Sequence, residues 1–247
     1  MSEPRAMFDH VTLRVSDRAA SERFYATVLA ALDIGPAATD VDAVRWEEFA
    51  IAPADDGAHV TRRLHIGFAA SSRAHVDAFW RAGIAAGYRD DGAPGPRPQY
   101  TPDYYGAFLL DPDANSAEAV HHSGLGAGTV IDHLWIRVAD VAASAAFYET
   151  IAPHAGLRLA DARPDYARCE GAGASFSLVS GEPTEHLQMG FPAADDAAVD
   201  AFHAAALQAG YREALPPGKR SLHGRDRYAA SVLDPDANTV ELASAVR

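Results

Sequence analysis

The chain has a single cysteine, Cys169, in 247 residues. That excludes an intrachain disulfide framework and any zinc site built on several thiolates. Cys169 reads as a small, half-buried residue rather than a nucleophile. Basic charge is scarce: 21 Lys and Arg face 34 Asp and Glu, for a formal net charge of −13. Nucleic acid and anionic membrane surfaces both need basic patches, so neither is an expected partner. No run of 18 apolar residues is free of charge, and Met1 to His10 carries Glu3, Pro4, Arg5 and Asp9 in place of an apolar leader core. A membrane span and a signal peptide are both unexpected, and a cytoplasmic location is the expectation. Also missing are a glycine-rich phosphate loop and a nucleophile elbow: Gly181-Glu182-Pro183 and the stretch from Gly124 to Gly128 lack the residues either would need.

What is present is a repeat. Leu110-Asp111-Pro112-Asp113-Ala114-Asn115 returns as Leu233-Asp234-Pro235-Asp236-Ala237-Asn238, 123 positions later, and each copy is followed by a glutamate, Glu118 or Glu241. Asp, Pro and Asn each favour chain reversal, so the hexapeptide reads as a turn with structural aspartates. At the same offset, residues 8–27 and 131–150 agree at 11 of 20 positions. The matches include Asp9 with Asp132, His10 with His133, Arg14 with Arg137, Phe24 with Phe147 and Tyr25 with Tyr148. Val76-Asp77-Ala78-Phe79 likewise becomes Val199-Asp200-Ala201-Phe202. Residues 1–122 and 130–247 are therefore two modules of one ancestry, joined by a glycine-rich linker at 123–129.

Within the first module, Phe8 to Val15 alternates, with Val11, Leu13 and Val15 on one face and His10, Thr12 and Arg14 on the other. Ser16 and Asp17 offer an N-cap for a helix carrying Phe24, Tyr25, Val28, Leu29 and Leu32. The break at Gly35-Pro36 leads to a strand over Val44 to Ile51, then a turn at Asp55-Asp56-Gly57. Arg63 to Phe68 repeats the first strand's pattern, and Ser71-Ser72 starts a second helix that ends at Gly87. A loop from Gly92 to Pro98 precedes a strand through Leu110, the turn, and a last strand bearing Glu118. The fold class is α+β, from βαβββ units used four times.

His10, His65 and Glu118 fall on the polar faces of strands, and their counterparts are His133, Gln188 and Glu241. Two imidazoles and a carboxylate suit a divalent transition metal and leave coordination positions open. The alternative for each histidine is an ordinary strand residue with a satisfied hydrogen bond.

Asp9-His10-Val11, Leu64-His65-Ile66-Gly67-Phe68, and the repeated turn leading to Glu118-Ala119-Val120 resemble the vicinal oxygen chelate superfamily. That superfamily comprises glyoxalase I, fosfomycin-resistance thiol transferases, bleomycin-resistance proteins and extradiol dioxygenases. The resemblance implies two tandem glyoxalase-like modules, with curved mixed sheets around cavities. It maps metal ligands onto His10, His65 and Glu118, and a weaker second set onto His133, Gln188 and Glu241. Gln188 departs from the pattern, since an amide oxygen is a poorer donor than imidazole. Units can pair within a module or be exchanged between modules. Exchange would bring His133, in place of His10, to His65 and Glu118.

The resemblance implies one divalent transition metal per chain (Zn, Ni, Mn or Fe), with Glu118 also catalytic. It further implies lyase or isomerase chemistry on a small molecule held through vicinal oxygens. Extradiol ring cleavage, or metal-free sequestration of an antibiotic-like molecule, is the alternative. Arg14, Arg63, Tyr100 and Tyr105 are the expected substrate contacts, and Arg137 shares Arg14's place in the repeat. Tyr104 stands beside Tyr105, and two of the three tyrosines are expected to be packing. Arg220, Arg225 and Arg227 make the corresponding loop of the second module basic, so the two pockets are expected to differ in ligand. His121-His122 reads as solvated. A monomer or homodimer is expected.

Overall fold

The computed structural model describes residues 6–35, 38–39, 41–55, 59–126, 128–222 and 225–245. The first unit holds β1 (His10–Val15), α1 (Arg18–Ala30), β2 (Ala38–Thr39), β3 (Val44–Trp46) and β4 (Phe49–Pro53). The second holds β5 (Leu64–Ala69), α2 (Arg73–Ala85), β6 (Arg89–Pro96), β7 (Tyr105–Leu110) and β8 (Ser116–His121). The third holds β9 (Ile131–Val138), α3 (Val141–Ala155), β10 (Arg158–Arg163), β11 (Tyr166–Glu170) and β12 (Ser175–Ser180). The fourth holds β13 (Leu187–Pro192), α4 (Asp196–Gln208), β14 (Arg212–Leu222), β15 (Arg225–Leu233) and β16 (Thr239–Ala245). This is the βαβββ order four times over.

The units pair by exchange. One eight-stranded sheet runs β14-β15-β16-β13-β1-β4-β3-β2, and the other runs β10-β11-β12-β9-β5-β8-β7-β6. Each sheet thus takes one unit from each half of the chain. The joints are antiparallel, β1 on β13 and β5 on β9, with His10 opposite Gly190 and Gly67 opposite His133.

Local chemistry sets the elements. Asp17, Ser72, Asp140 and Asp195 cap the four helices, each accepting from a backbone N–H one turn in. Gly87 and its counterpart Gly210 follow their helices at φ 84° and 88°, where a side chain would be strained. Phe24, Tyr25, Val28 and Leu29 of α1 are fully buried, as are Phe147, Tyr148 and Ile151 of α3. The repeated turn ties the units together. Asp111 accepts from the backbone N–H groups of Asp113 and Asn115 and from the Tyr25 hydroxyl at 2.9 Å. Asn115 accepts from Leu64 N and donates to Thr61 O, which fixes the start of β5 one residue before His65.

Three expectations change. Val44 to Ile51 is a hairpin of β3 and β4, because the chain reverses at Glu47, φ 53°, and Glu48. The stretch from Gly92 falls largely in a strand, β6, which pairs with β7 through two register shifts, on either side of Gly92, that absorb Asp91 and Ala93-Pro94. Cys169 is fully buried rather than half-buried, and burial pushes its thiol up to about 12. Pro36, Asp56 and Gly57, from the expected break and turn, lie outside the described residues. No described helix is long and apolar enough to cross a membrane.

Candidate metal centre

β5 lies between β9 and β8, so three adjacent strands carry His133, His65 and Glu118. The exchanged pairing decides which histidine completes the set. His133 arrives there, and His10, the residue expected from its own module, is in the other sheet. His65 Nε2 lies 3.0 Å from Glu118 Oε2 and 3.2 Å from His133 Nε2, and His133 Nε2 lies 3.3 Å from the same carboxylate oxygen. Glu118 and His133 are buried, and the His65 side chain keeps 22% of its exposure, toward the cavity. Gly67 makes room for this arrangement: a Cβ there would come within 2.4 Å of the His133 ring.

Each group is held from behind. His133 Nδ1 is 2.8 Å from Asp132 Oδ2, and the other oxygen of Asp132 is 3.2 Å from His122 Nε2. His65 Nδ1 faces Ser116 Oγ at 3.2 Å, and Ser116 donates to Asp91. Tyr104 donates its hydroxyl to Glu118 Oε1 at 2.8 Å, leaving Oε2 to the histidines. Burial alone would raise the Glu118 carboxyl, but hydrogen bonds from His133 and His65 hold it down at about 2. Burial alone would lower His133, but Asp132 and Glu118 hold it up at about 9. The pocket thus stabilises positive charge at the point where the three groups meet.

The donor set suits a divalent ion. With both Nδ1 atoms engaged behind, the tautomers that carry the proton on Nδ1 turn two Nε2 lone pairs and a carboxylate oxygen toward one point, where a cation fits. Bonds of about 2.0–2.2 Å give ligand-to-ligand edges of roughly 3.0–3.5 Å, which is the spacing seen here. Among the described residues this is the group of His, Cys, Asp or Glu side chains that could hold a metal.

The centre opens on a cavity of about 570 Å³ whose walls include Tyr100, Tyr104, Phe108, Trp135 and Arg137. A second lobe of about 780 Å³ shares Tyr100, Tyr104, His133 and Trp135 with it. Tyr100 meets Trp135 edge-on at 5.7 Å and tilts against Tyr104 at 4.9 Å.

Of the expected substrate contacts, Tyr100 and Arg63 line the cavity. Arg63 is committed elsewhere, to Glu185, to Glu182 at 3.3 Å and to Pro183 O at 2.7 Å. Arg14 lies on the other sheet and reaches Pro53 O, because exchange gives its place to Arg137. Tyr105 points away, donating to Asp77 at 2.9 Å, and Tyr104 lines the cavity instead. His122, expected to be solvated, pairs with Asp132 and stacks on Tyr104 at 5.6 Å. His121 is held by Ala70 O. Of the three tyrosines, Tyr100 and Tyr104 line the cavity, while Asp132, His122 and Trp135 are site neighbours that the sequence does not single out. The Asp-His dipeptide, written at both 9–10 and 132–133, was the available signal for Asp132.

The counterpart cluster is built differently. His10 Nε2 lies 3.8 Å from Glu241 Oε1 and 3.4 Å from Gln188 Nε2, and His10 Nδ1 is 3.2 Å from Asp9. Glu241 Oε1 is buried without a hydrogen-bond partner, and burial raises the carboxyl. Where the first site has Tyr104, this one has Arg227, which bonds Asp9 at 2.9 Å. Arg220 is spent on backbone carbonyls of Gly218 and Pro216. The Arg225 side chain lies outside the described residues.

Residues 130–242 match the model of the Glyoxalase/Bleomycin resistance protein/Dioxygenase superfamily. The chain belongs to that superfamily. A glyoxalase/bleomycin resistance protein from Albidiferax ferrireducens is 35% identical over 47% of this chain and 100% of its own, with a TM-score of 0.43. Glyoxalase I from Zea mays shares the fold at 19% identity and a TM-score of 0.68, over 96% of this superfamily member and 92% of its own chain. A putative dioxygenase from Bacillus subtilis does so at 15% identity and a TM-score of 0.66, over 97% and 85% of the two chains. No curated protein matches the sequence.

Proposed function

We propose that this superfamily member is a metal-dependent enzyme of the lyase or isomerase type that binds a small molecule through two adjacent oxygens. The observation that carries the reading is the convergence of His65 Nε2, His133 Nε2 and Glu118 Oε2 within 3.3 Å of one another at the floor of a cavity. These three residues would hold one divalent ion per chain. When bound, that ion supplies Lewis-acid polarisation of the paired substrate oxygens.

The chain's own residues do the rest. Asp132 fixes the His133 ring so that Nε2 faces inward, the usual way a carboxylate orients a ligating imidazole. Ser116 does the same for His65. Glu118 is the buried carboxylate at the floor, and we assign it the movement of the substrate proton. Tyr104 restrains the other oxygen, so the carboxylate keeps its orientation while its charge changes. Trp135, Tyr100 and Phe108 wall the cavity and limit water around the reacting atoms. The His10, Gln188 and Glu241 cluster is read as a weaker site or one without metal. Gln188 replaces an imidazole there, and Arg227 brings a positive charge beside it.

Metal analysis of full-length protein purified without chelator tests this. One equivalent in the wild type and none in His65→Ala is the expected result. A wild type free of metal, with small-molecule binding intact in His65→Ala, would instead indicate a sequestering protein and end the enzyme reading.

A further inference from the structure

The two lobes beside the centre differ in charge, and the difference points to a substrate class. In the larger lobe the cations are answered locally: Arg163 pairs with Asp161 at 3.2 Å, and Arg168 with Glu170 at 3.4 Å. In the smaller lobe Arg63 is likewise answered, by Glu182 and Glu185. Two other guanidiniums there are not. Arg97 donates to the carbonyls of Pro96 and Ala93, which fix its position without neutralising it, and it lies over the Phe108 ring at 5.4 Å. Arg137 is exposed on the cavity wall, and among the described residues its guanidinium has no hydrogen-bond or ion-pair partner. The other carboxylate of this lobe besides Glu118 is Asp91, which accepts from Ser116.

Geometry links these cations to the centre. His133, Trp135 and Arg137 alternate along β9 and share one face. At about 3.3 Å per residue, the backbones of His133 and Arg137 are about 13 Å apart. Phe108 is directly opposite Glu118 across β7 and β8, and its ring lies 5.9 Å from that of His65. Trp135 approaches His65 from its own strand at 6.1 Å. A flat body seated over His65 would therefore touch an aromatic ring on either hand, with a guanidinium beyond each.

Resting on the chelation reading above, we propose that the substrate is an aromatic or conjugated small molecule carrying an acid group. Its adjacent oxygens sit at His65, His133 and Glu118, its flat body lies against Trp135 and Phe108, and its acid group reaches the guanidinium beyond one of those rings, Arg137 or Arg97. The guanidinium fork matches both carboxylate and phosphate-type oxygens, so the shared chemistry is the anionic oxygen pair. The larger lobe, with its cations already paired, is left to the neutral end or to solvent.

The test is calorimetric titration of zinc-loaded, full-length protein with three probes that share a pair of adjacent hydroxyls. They are 4-ethylcatechol, which is neutral, 3-(3,4-dihydroxyphenyl)propanoate, and the corresponding phosphonate. At least one acid probe should bind about tenfold more tightly than 4-ethylcatechol, as expected for one added charge-assisted contact, and the tighter acid identifies the natural group. Arg137→Ala or Arg97→Ala, whichever removes the guanidinium at the acid end, should erode that preference while leaving 4-ethylcatechol binding and the melting temperature unchanged. Arg137→Lys should retain part of it. Equal affinity for neutral and acid probes in the wild type overturns the proposal, as does a preference that survives in both alanine variants. If 4-ethylcatechol binds His65→Ala as well as it binds wild type, the chelation reading fails instead, and the acid preference still decides the anion site by itself.

Discussion

The two sites of this chain descend from one pattern and have come to differ in their chemistry. In the sheet built from the second and third units, His65, His133 and Glu118 close to within 3.3 Å of one another, with Asp132 and Tyr104 fixing them. In the other sheet His10 and Glu241 stand 3.8 Å apart, and one glutamate oxygen has no partner. Two positions account for most of this. Gln188 removes an imidazole, and Arg227, where the first site has Tyr104, places a cation on Asp9 and gives Glu241 Oε1 no donor. The lesson is that the residue behind a ligand shapes a site as much as the ligand does.

The largest effect should come from removing one histidine in each sheet. His133→Ala should abolish the single equivalent of bound metal, and His10→Ala should leave it in place, as read by elemental analysis. Loss of metal in His10→Ala with retention in His133→Ala would break the exchanged assignment. Next in size is repair of the second site. Gln188→His alone should add a weak second equivalent, and Gln188→His with Arg227→Tyr a tighter one. No second equivalent in the double variant would mean that these two positions do not explain the difference.

A smaller effect tests the support residues. Asp132→Asn should weaken metal binding by roughly 10–100-fold, the usual range for losing a carboxylate behind a ligating histidine, while Asp9→Asn should not change it. A competition titration with a metal indicator separates the two. The smallest effect concerns the matched tyrosines of the first and third helices. Tyr25 donates to Asp111, and Tyr148 has a buried hydroxyl without a partner. Tyr25→Phe should destabilise by on the order of 1–2 kcal/mol in denaturant melts, and Tyr148→Phe should be neutral or stabilising. Equal costs would argue against this asymmetry.

Much of the fold was legible because local chemistry decides it. The helix caps at Asp17 and Ser72, the glycine after α2 and the Asp-Pro-Asp-Ala-Asn reversal all act within a few residues. The β3–β4 hairpin was missed because Glu47 and Glu48 form a reversal without a glycine or proline to mark it. β6 reads as a loop in sequence because Gly92 and Pro94 suggest a break, and the register shifts that accommodate them exist only once β7 is beside them. In the site, His65 and Glu118 could be read from strand alternation and the repeat. Tyr104 could be read only as one of three tyrosines, and His122 and Trp135 not at all, since an aromatic side chain looks the same in sequence whether it faces a cavity or packs.

The sequence by itself determined the duplication, the four βαβββ units, the residue types of the candidate site and the mismatch of His65 with Gln188. Those follow from spacing and residue chemistry, which are local. Only the tertiary structure decided that His133 and not His10 joins His65, because that depends on which strand lies against β5. Strand pairing across halves is set by the burial of whole sheets, and no single residue in the repeat records it. The same pairing put Arg137 rather than Arg14 on the cavity wall, and with it a positive charge.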